Sequence, residues 1–451
     1  MLKTKTDMLN GSLVKNIILF SIPVMLSSVL QLLFNAADLV IVGRFCGSLS
    51  VAAVGATTSL THLLVNFFVG FSVGTGVAVA QAIGAGNRKE TALVVHTAIP
   101  LAVISGSLIT VLGVAFSGPL LGLMGTPEEI LPLSAVYMRL YFAGMVFNMV
   151  YNYGASILRA AGDTKGPLIY LTIAGVVNVV LNVIFVVAFN MNVAGVALAT
   201  AISQGVSAVL VVLSLMNRGD TVRFQWRKMK IHLPSLKKIL KIGVPSGLQS
   251  SVFSMSNVLI QSSVNSFGSV FVSGNAAAAN IEAFAWVMMN AFHQAALNFA
   301  GQNTGAGQYK RVKRSYNVCL VLVSICGILT GVLINLFGRQ LLSIYITDSA
   351  EAISSGLIRF MFVAAPYFIA GIMDVATGAL RGIGASLSPM LISVVGVCGI
   401  RITWIYTIFQ IPAFNSPESL YISYPISWIV TFITLHITFT VIYNKRFKNK
   451  E

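Results

Sequence analysis

The sequence predicts an all-α integral membrane protein, with 12 transmembrane helices in two six-helix bundles related by a parallel pseudo-two-fold repeat. Composition is the first reason. Charged residues make up 9% of the chain, hydrophobic residues 56%, and mean hydropathy is +0.85, whereas a soluble domain carries about 25% charge. The second is the form of the apolar runs, which are continuous over the roughly 20 residues that a helix needs to cross a bilayer. A helix satisfies its backbone polar groups within its own segment, and an outer-membrane barrel would alternate apolar and polar residues instead. The third is an internal repeat that matches Pro23 to Pro245 and Leu158 to Leu380 in one register.

The apolar runs fall at 15–42, 51–83, 91–116, 131–158, 167–189 and 193–216 in the first half, and at 239–267, 275–303, 315–337, 352–380, 389–411 and 421–443 in the second. Several exceed the roughly 20 residues that a straight span needs, so tilt or protrusion is expected. Residues 1–216 and 239–451 read as the two bundles, and 217–238 as a basic linker. From Asn217 to Lys241 the chain holds Arg218, Arg223, Arg227, Lys228, Lys230, Lys237, Lys238 and Lys241 against one acid, Asp220. This stretch reads as a solvated linker, and a polybasic segment beside a membrane also attracts anionic lipid headgroups.

Charge placement gives the orientation. With the N-terminus inside, the inward loops hold 24 Lys and Arg: Lys3, Lys5 and Lys15; Arg88 and Lys89; Arg159 and Lys165; the eight of the linker; Lys310, Arg311, Lys313 and Arg314; Arg381; and Lys445, Arg446, Lys448 and Lys450. The outward loops hold Arg44 and Arg339, while Arg139, Arg359 and Arg401 fall inside spans. The positive-inside rule then expects a multi-pass protein of the cell's inner (plasma) membrane with both termini cytoplasmic. The net charge of +16 sits in short loops between spans, so it marks topology and not a nucleic-acid partner. Cys46, Cys319, Cys326 and Cys398 are scattered with no CxxC, which supports neither a disulfide framework nor a metal site. Lys3, Lys5 and Lys15 precede the first apolar run without a small-residue cleavage site, as expected of a retained helix. No HExxH or GxxxxGK[ST] is present, so neither hydrolysis nor ATP-driven transport has a motif, and no cofactor is expected.

The two halves match motif by motif. Pro23 in IPVML aligns with Pro245 in GVPSG; AQAIGAGNRK at 80–89 aligns with GQNTGAGQYK at 301–310; LRAAGDTKGP at 158–167 aligns with LRGIGASLSP at 380–389. Six spans per half is an even number, so both halves enter the membrane from the same side, which is the parallel repeat of a transporter whose bundles rock to give alternating access. Gly84–Gly86 and Gly305–Gly307 are expected to end helices in the left-handed conformation, with Gln81 and Gln302 one turn earlier able to bond freed carbonyls. Arg159 and Arg381 complement the negative ends of their helices, and Pro23 and Pro245 are expected to bend theirs.

Acids inside spans are costly and therefore informative. There are three, Asp38, Glu282 and Asp374. Asp38 either pairs with Arg44 near the outer interface or joins Asn178 and Asn182, which share a helix face at i, i+4, and Thr200, Ser203 and Gln204 in a polar pocket. Burial disfavours a bare charge, which suits a group that takes up and releases a proton or sodium ion. Glu282 lies in ANIEAFAWVMMNAFHQ beside Asn280, with Phe284, Trp286, Met288 and Met289 around it, as a lipophilic cation would favour; the alternative is helix packing. His293 and His62 read as packing residues. Asp374 either partners Arg401 or serves ion coupling.

The stretch IPVMLSSVLQLLFNAADLVIVGR at 22–44, the GAG turns with FAGQNTGAG at 299–307, and the paired LR-x-x-G motifs resemble the multidrug and toxic compound extrusion (MATE) family over nearly the whole chain. The resemblance implies a two-bundle, 12-helix antiporter that exports organic cations in exchange for protons or sodium. Its cation-coupling cluster maps onto Asp38, Asn178, Asn182 and Thr200, with a sodium ion expected at Asp38, Asn178 and Asn182 if sodium is the coupling ion. Its substrate or second cation site maps onto Glu282, Asn280, Asp374, Phe284, Met288 and Met289. The second sodium site of some members needs an acid in span seven, where this chain has Phe253. A monomer in contact with membrane lipid is expected. The rival reading is a flippase or exporter of lipid-linked precursors or another metabolite, against which the three intramembrane acids and the count of 12 spans weigh.

Overall fold

A computed structural model describes residues 5–347 and 349–448; Lys3 and Lys450, counted above among the inward charges, lie outside the described residues. Among the described residues there is no strand. The first half contains α1 (Leu13–Phe45), α2 (Ser48–Gly84), α3 (Arg88–Leu123), α4 (Leu131–Ala143), α5 (Met145–Ala160), α6 (Lys165–Val183) and α7 (Asn192–Met216). The second contains α8 (Leu233–Asn265), α9 (Ser269–Gly305), α10 (Tyr309–Leu336), the short α11 (Gly338–Ser343), α12 (Ala350–Arg359), α13 (Tyr367–Gly382), α14 (Leu387–Ser393), α15 (Ile400–Tyr406) and α16 (Pro417–Phe447). Three π-helical turns, Ile184–Ala188, Phe360–Ala364 and Val394–Gly399, extend α6 and α12 and join α14 to α15.

Among the described residues eight helical runs are long and apolar enough to cross a bilayer, and α4–α5 and α12–α13 add two spans bent by 45° and 42°. The first bend sits at Gly144, the second at Pro366. Helices α8 and α9, of 33 and 37 residues, are as long but more polar: α8 begins with Lys237, Lys238 and Lys241, and α9 carries Asn275, Glu282, His293 and Asn303. They complete the 12 spans by repeat position, for Ser269 and Gly305 bound α9 as Ser48 and Gly84 bound α2. The turns repeat as well. Gly86 (φ 64°) and Gly307 (φ 69°) are the left-handed residues. Asn87 N–H and Gln308 N–H bond back to the Ala82 and Asn303 carbonyls, closing the same Schellman turn twice. Backbone N–H groups, from Ala85 and Ala306, meet the Gln81 and Gln302 carbonyls.

The helices gather into two compact units whose membership crosses the repeat boundary. One unit contains residues 26–250, so it includes the C-terminal part of α1 and the first part of α8; the other contains residues 8–25 and 251 onward. The change of unit falls just past Pro23 in α1 and shortly past Pro245 in α8, each a place where proline removes one ladder donor. In the first unit, α2 and α8 meet along facing small-xxx-small pairs, Gly70/Gly74 and Gly243/Gly247. A Cβ at Gly74 would lie 2.1 Å from the Ile239 carbonyl oxygen, and one at Gly70 2.3 Å from the Gly247 nitrogen. In lipid such close backbone approach supplies the packing attraction that apolar transfer does not.

The linker is not merely solvated. Val222 and Phe224 are 0% and 1% exposed in the core of the first unit, and Phe224 packs at 5.5 Å from the His96 ring. The Gln225 N–H donates to His96 Nε2 (3.1 Å) and the His232 N–H to Thr97 Oγ1 (3.1 Å). Arg218 bonds both Asp163 (2.8 Å) and Asp220 (3.0 Å), and Lys5 also pairs with Asp220. Burial pushes the Asp220 carboxyl up, but Lys5 and Arg218 outweigh it and hold the group below the usual carboxylate range. The clamp is therefore complete above that range and is lost as pH falls through the depressed value. Alternation of buried Val222 and Phe224 with basic residues is what composition averaged away.

Substituting Gly74→Ala should lower the thermal midpoint of the purified protein by an amount equivalent to about 1–3 kcal/mol of overpacking. Gly55→Ala, where nothing lies within 4 Å, should leave it unchanged or raise it; equal midpoints for the two variants would remove the contact from the account of stability.

Candidate functional site

In the first unit the structure gathers the four residues assigned to ion coupling. Asn178 and Asn182 lie one turn apart on α6 and are 4% and 0% exposed. Asn182 Nδ2 donates to Asp38 Oδ1 and to Asn178 Oδ1 (3.3 Å), which uses both amide protons. Asn178 Nδ2 donates to Thr200 Oγ1 on α7 (3.3 Å). The single Thr200 hydroxyl proton has two acceptors in reach, the Val196 carbonyl at 2.9 Å and Asp38 Oδ2 at 3.4 Å. The nearer carbonyl wins, which leaves Asp38 Oδ2 without a strong donor. Asn182 Oδ1 is buried with no partner among the described residues. Two acceptors of the cluster, Asp38 Oδ2 and Asn182 Oδ1, thus lack a strong donor among the described residues. Arg44 is exposed and does not pair with Asp38. Ser203 and Gln204 stand further along α7, where Ser203 Oγ donates to the Thr200 carbonyl (2.9 Å) and Gln204 Oε1 has no partner among the described residues.

Two features of this cluster were not legible from the sequence. Tyr137 and Tyr141, stacked at 6.1 Å on α4, stand in the neighbourhood of Asp38. Gly175 on α6 lets α1 come in: a Cβ there would sit 1.8 Å from the Phe34 ring. Phe34 is one turn before Asp38, and Gly175 one turn before Asn178, so this contact sets the distance between the carboxylate and its amides.

The second unit departs from expectation. Glu282 is not an open carboxylate. Arg359 Nε donates to both of its oxygens (3.1 Å each) and Nη2 to Oε2 (2.7 Å). Arg359 Nη1 and the Tyr421 hydroxyl both donate to Asn275 Oδ1, at 2.7 and 2.8 Å. Glycines position the pair, since a Cβ at Gly274 would be 2.1 Å from the Ala352 carbonyl oxygen, bringing α9 against α12. The other residues assigned with Glu282 do not converge on it: a turn of about 100° per residue takes Asn280, Phe284 and Met288 to other faces, and returns Met289 to the same face only about two turns along. Asn280 is exposed, Trp286 is 48% exposed, and Phe284 and Met288 are half-buried, Met288 sulfur lying 4.0 Å from Thr330 Oγ1. Met289 is 1% exposed and packs on Gly327 and Gly371 in the core.

Nor does Asp374 partner Arg401. Asp374, two turns before Arg381 on the same helix, is half-buried with no ion pair among the described residues. Its carbonyl accepts from His293 Nδ1 (2.7 Å), which makes His293 the satisfied packing residue expected. Arg401, 5% exposed, lies over the Tyr424 ring at 3.9 Å and near Trp428 at 5.5 Å, and its Nε donates to Ser427 Oγ (3.0 Å). Each π-helical turn abuts one of these polar groups: Asn182 lies just before the first, Arg359 immediately before the second, Arg401 just after the third. Such turns commonly mark functional positions.

Two repeated helical units with charged and amide groups buried inside spans define a multi-pass membrane transporter. The MatE family model matches residues 23–184 and again 245–407, and the chain belongs to this family of multidrug efflux transporters. The two matches start at Pro23 and at Pro245, the prolines that the motif repeat pairs. The chain is 30% identical over 395 residues to the probable multidrug resistance protein YpnP of Bacillus subtilis, covering 88% of each. It is 27% identical over 437 residues to the probable multidrug resistance protein YoeA of the same organism, covering 95% and 94%. Its fold superposes with a TM-score of 0.92 on a multidrug resistance MATE family transporter of the MOP superfamily solved in an outward-facing conformation, at 23% identity and 99% coverage of both chains.

Removing one partner of a buried ion pair strands the other, at about 3–5 kcal/mol, whereas replacing both by apolar groups is far cheaper. Glu282→Gln should therefore destabilise the protein more than the double change Glu282→Leu with Arg359→Met, as read from thermal unfolding in detergent. A double variant less stable than the single would show that the pair does not act as a unit.

Proposed function

We propose that the protein is a secondary active antiporter that exports organic cations, drugs among them, in exchange for protons or sodium by alternating access. It works in the inner membrane with both termini in the cytoplasm. The observation that carries this reading is the cluster of Asp38, Asn178, Asn182 and Thr200, which has one carboxylate, no cationic partner among the described residues and an orphaned amide oxygen. A proton on Asp38 Oδ2 would neutralise the buried charge and supply the missing donor. A sodium ion would be held by the oxygens of Asp38, Asn178 and Asn182, a hard cation on hard ligands. In either case the loaded cluster is electrically satisfied and the empty one is not, so loading and unloading bias the α1–α6–α7 packing around Asp38. The names of the relatives, multidrug resistance proteins, support a drug-like cargo, and the 24 inward Lys and Arg support the orientation.

The test uses purified protein in liposomes loaded with a dye cation, under a proton gradient in one set and a sodium gradient in the other. One gradient should drive dye movement, and Asp38→Asn should abolish it while the protein still reconstitutes. Movement that persists in Asp38→Asn would take Asp38 out of the mechanism, and no movement with either gradient would sink ion-coupled export. Gly175→Val should reduce gradient-driven transport at least about tenfold, the size of effect expected when a buried polar contact is pulled apart. Wild-type rates in Gly175→Val would mean that the α1–α6 spacing does not matter.

A further inference from the structure

We propose that Arg401 is an anion-accepting subsite that takes the carboxylate of an aromatic substrate. The guanidinium is 5% exposed, and no carboxylate pairs with it among the described residues. Nε is used by Ser427 Oγ, and Nη1 and Nη2 have no hydrogen-bond partner among the described residues. The buried acid of this unit, Glu282, does not compensate it, because both of its oxygens are held by Arg359. Arg359 itself reaches the same Tyr424 ring, at 5.9 Å. Two guanidiniums therefore reach one aromatic ring while Arg359 alone holds the carboxylate, leaving the Arg401 charge uncompensated. A buried charge of this kind is costly unless something pairs with it, and ring contacts return only a part of that cost.

A second observation points the same way. Trp404, one turn after Arg401 on α15, buries its Nε1–H with no acceptor among the described residues. Positions i and i+3 are neighbours on a helix surface, so α15 presents unpaired donors of two kinds at adjacent positions. A carboxylate has the charge to balance one guanidinium and the planar geometry to meet its two terminal nitrogens side by side. The rings of Tyr424 and Trp428 give the body of the ligand an aromatic surface to lie on. The π-helical turn Val394–Gly399 immediately before α15 is where the helix ladder departs from regularity. The inference rests on the export reading in that the ligand is cargo, and it widens that cargo from cations to zwitterions.

The probes are rhodamine B, an aromatic cation with a free carboxylate, and its methyl ester, which keeps the cation and loses the acid. Binding to the purified full-length protein is followed by fluorescence anisotropy and by quenching of tryptophan emission. The wild type should bind the acid about 10-fold or more tightly than the ester, as a charge-assisted hydrogen bond to a buried group implies. Arg401→Gln should bring the ratio close to 1. Arg401→Lys, which keeps the charge without the planar fork, should fall between. A wild-type ratio near 1, or a ratio unchanged by Arg401→Gln, overturns the proposal. If Arg401→Gln does not elute as folded protein, an unchanged ratio in Arg401→Lys overturns it equally. Preference for the acid in binding, with neither dye moving in liposomes under either gradient, would support the subsite and sink the export reading instead.

Discussion

A charge inside a bundle of apolar helices has to be paired, shared or neutralised, and the buried groups of this protein differ in how far they meet that demand. Glu282 and Arg359 are paired, through every oxygen of the one and two nitrogens of the other, while the third nitrogen binds Asn275. Arg401 is shared with the faces of Tyr424 and Trp428. Asp38 has the Asn182 amide, a Thr200 hydroxyl at 3.4 Å and no cation among the described residues, so its own surroundings leave its charge unbalanced. The difference in partners, more than the presence of an acid, separates the fully paired Glu282 from Asp38. Each arrangement is set by how closely two helices approach, and glycine decides that at Gly175 for Asp38 and at Gly274 for Glu282.

The sequence already carried the fold in its apolar runs and its repeat. Apart from a residue or two at the ends, each expected span lies inside an observed helix or bent run, because runs of this length have few alternatives in a membrane. The GAG turns were legible because glycine at a left-handed position has a local cause. The Asp38 cluster was legible in part, since Asn178 and Asn182 announce a polar face by spacing alone, while Tyr137, Tyr141 and Gly175 carry no local signal. The pairing of Glu282 with Arg359 was hidden by a separation of 77 residues, and both residues were visible only as costly charges. Reading Glu282 together with Asn280, Phe284 and Met288 took neighbours in sequence for neighbours in space, and helical rotation sends them to other sides. Asp374 and Arg401 failed to pair for the opposite reason. Aromatic rings on α16 took the arginine, and rings offer no charge for a sequence pattern to register.

The linker shows how an average conceals a pattern. Its eight basic residues dominate composition, yet Val222 and Phe224 anchor it, His96 and Thr97 hold its backbone, and Asp163, Asp220 and Lys5 bind Arg218 into a small ionic network. A segment that looks like a tether by charge behaves as a strap by burial. Arg227, Lys228 and Lys230 stay exposed along it.

The exchange of helix segments between units has a consequence for the chain as a whole. Cutting within 217–232 would give an N-terminal piece that keeps residues 8–25, which belong with the other unit, and a C-terminal piece that keeps 233–250, which belong with the first. Neither fragment holds a complete unit, and each lacks the stretch its partner carries. The sequence is a tandem duplication on paper, but its two copies are hostages to one another: there are two repeats and no severable half.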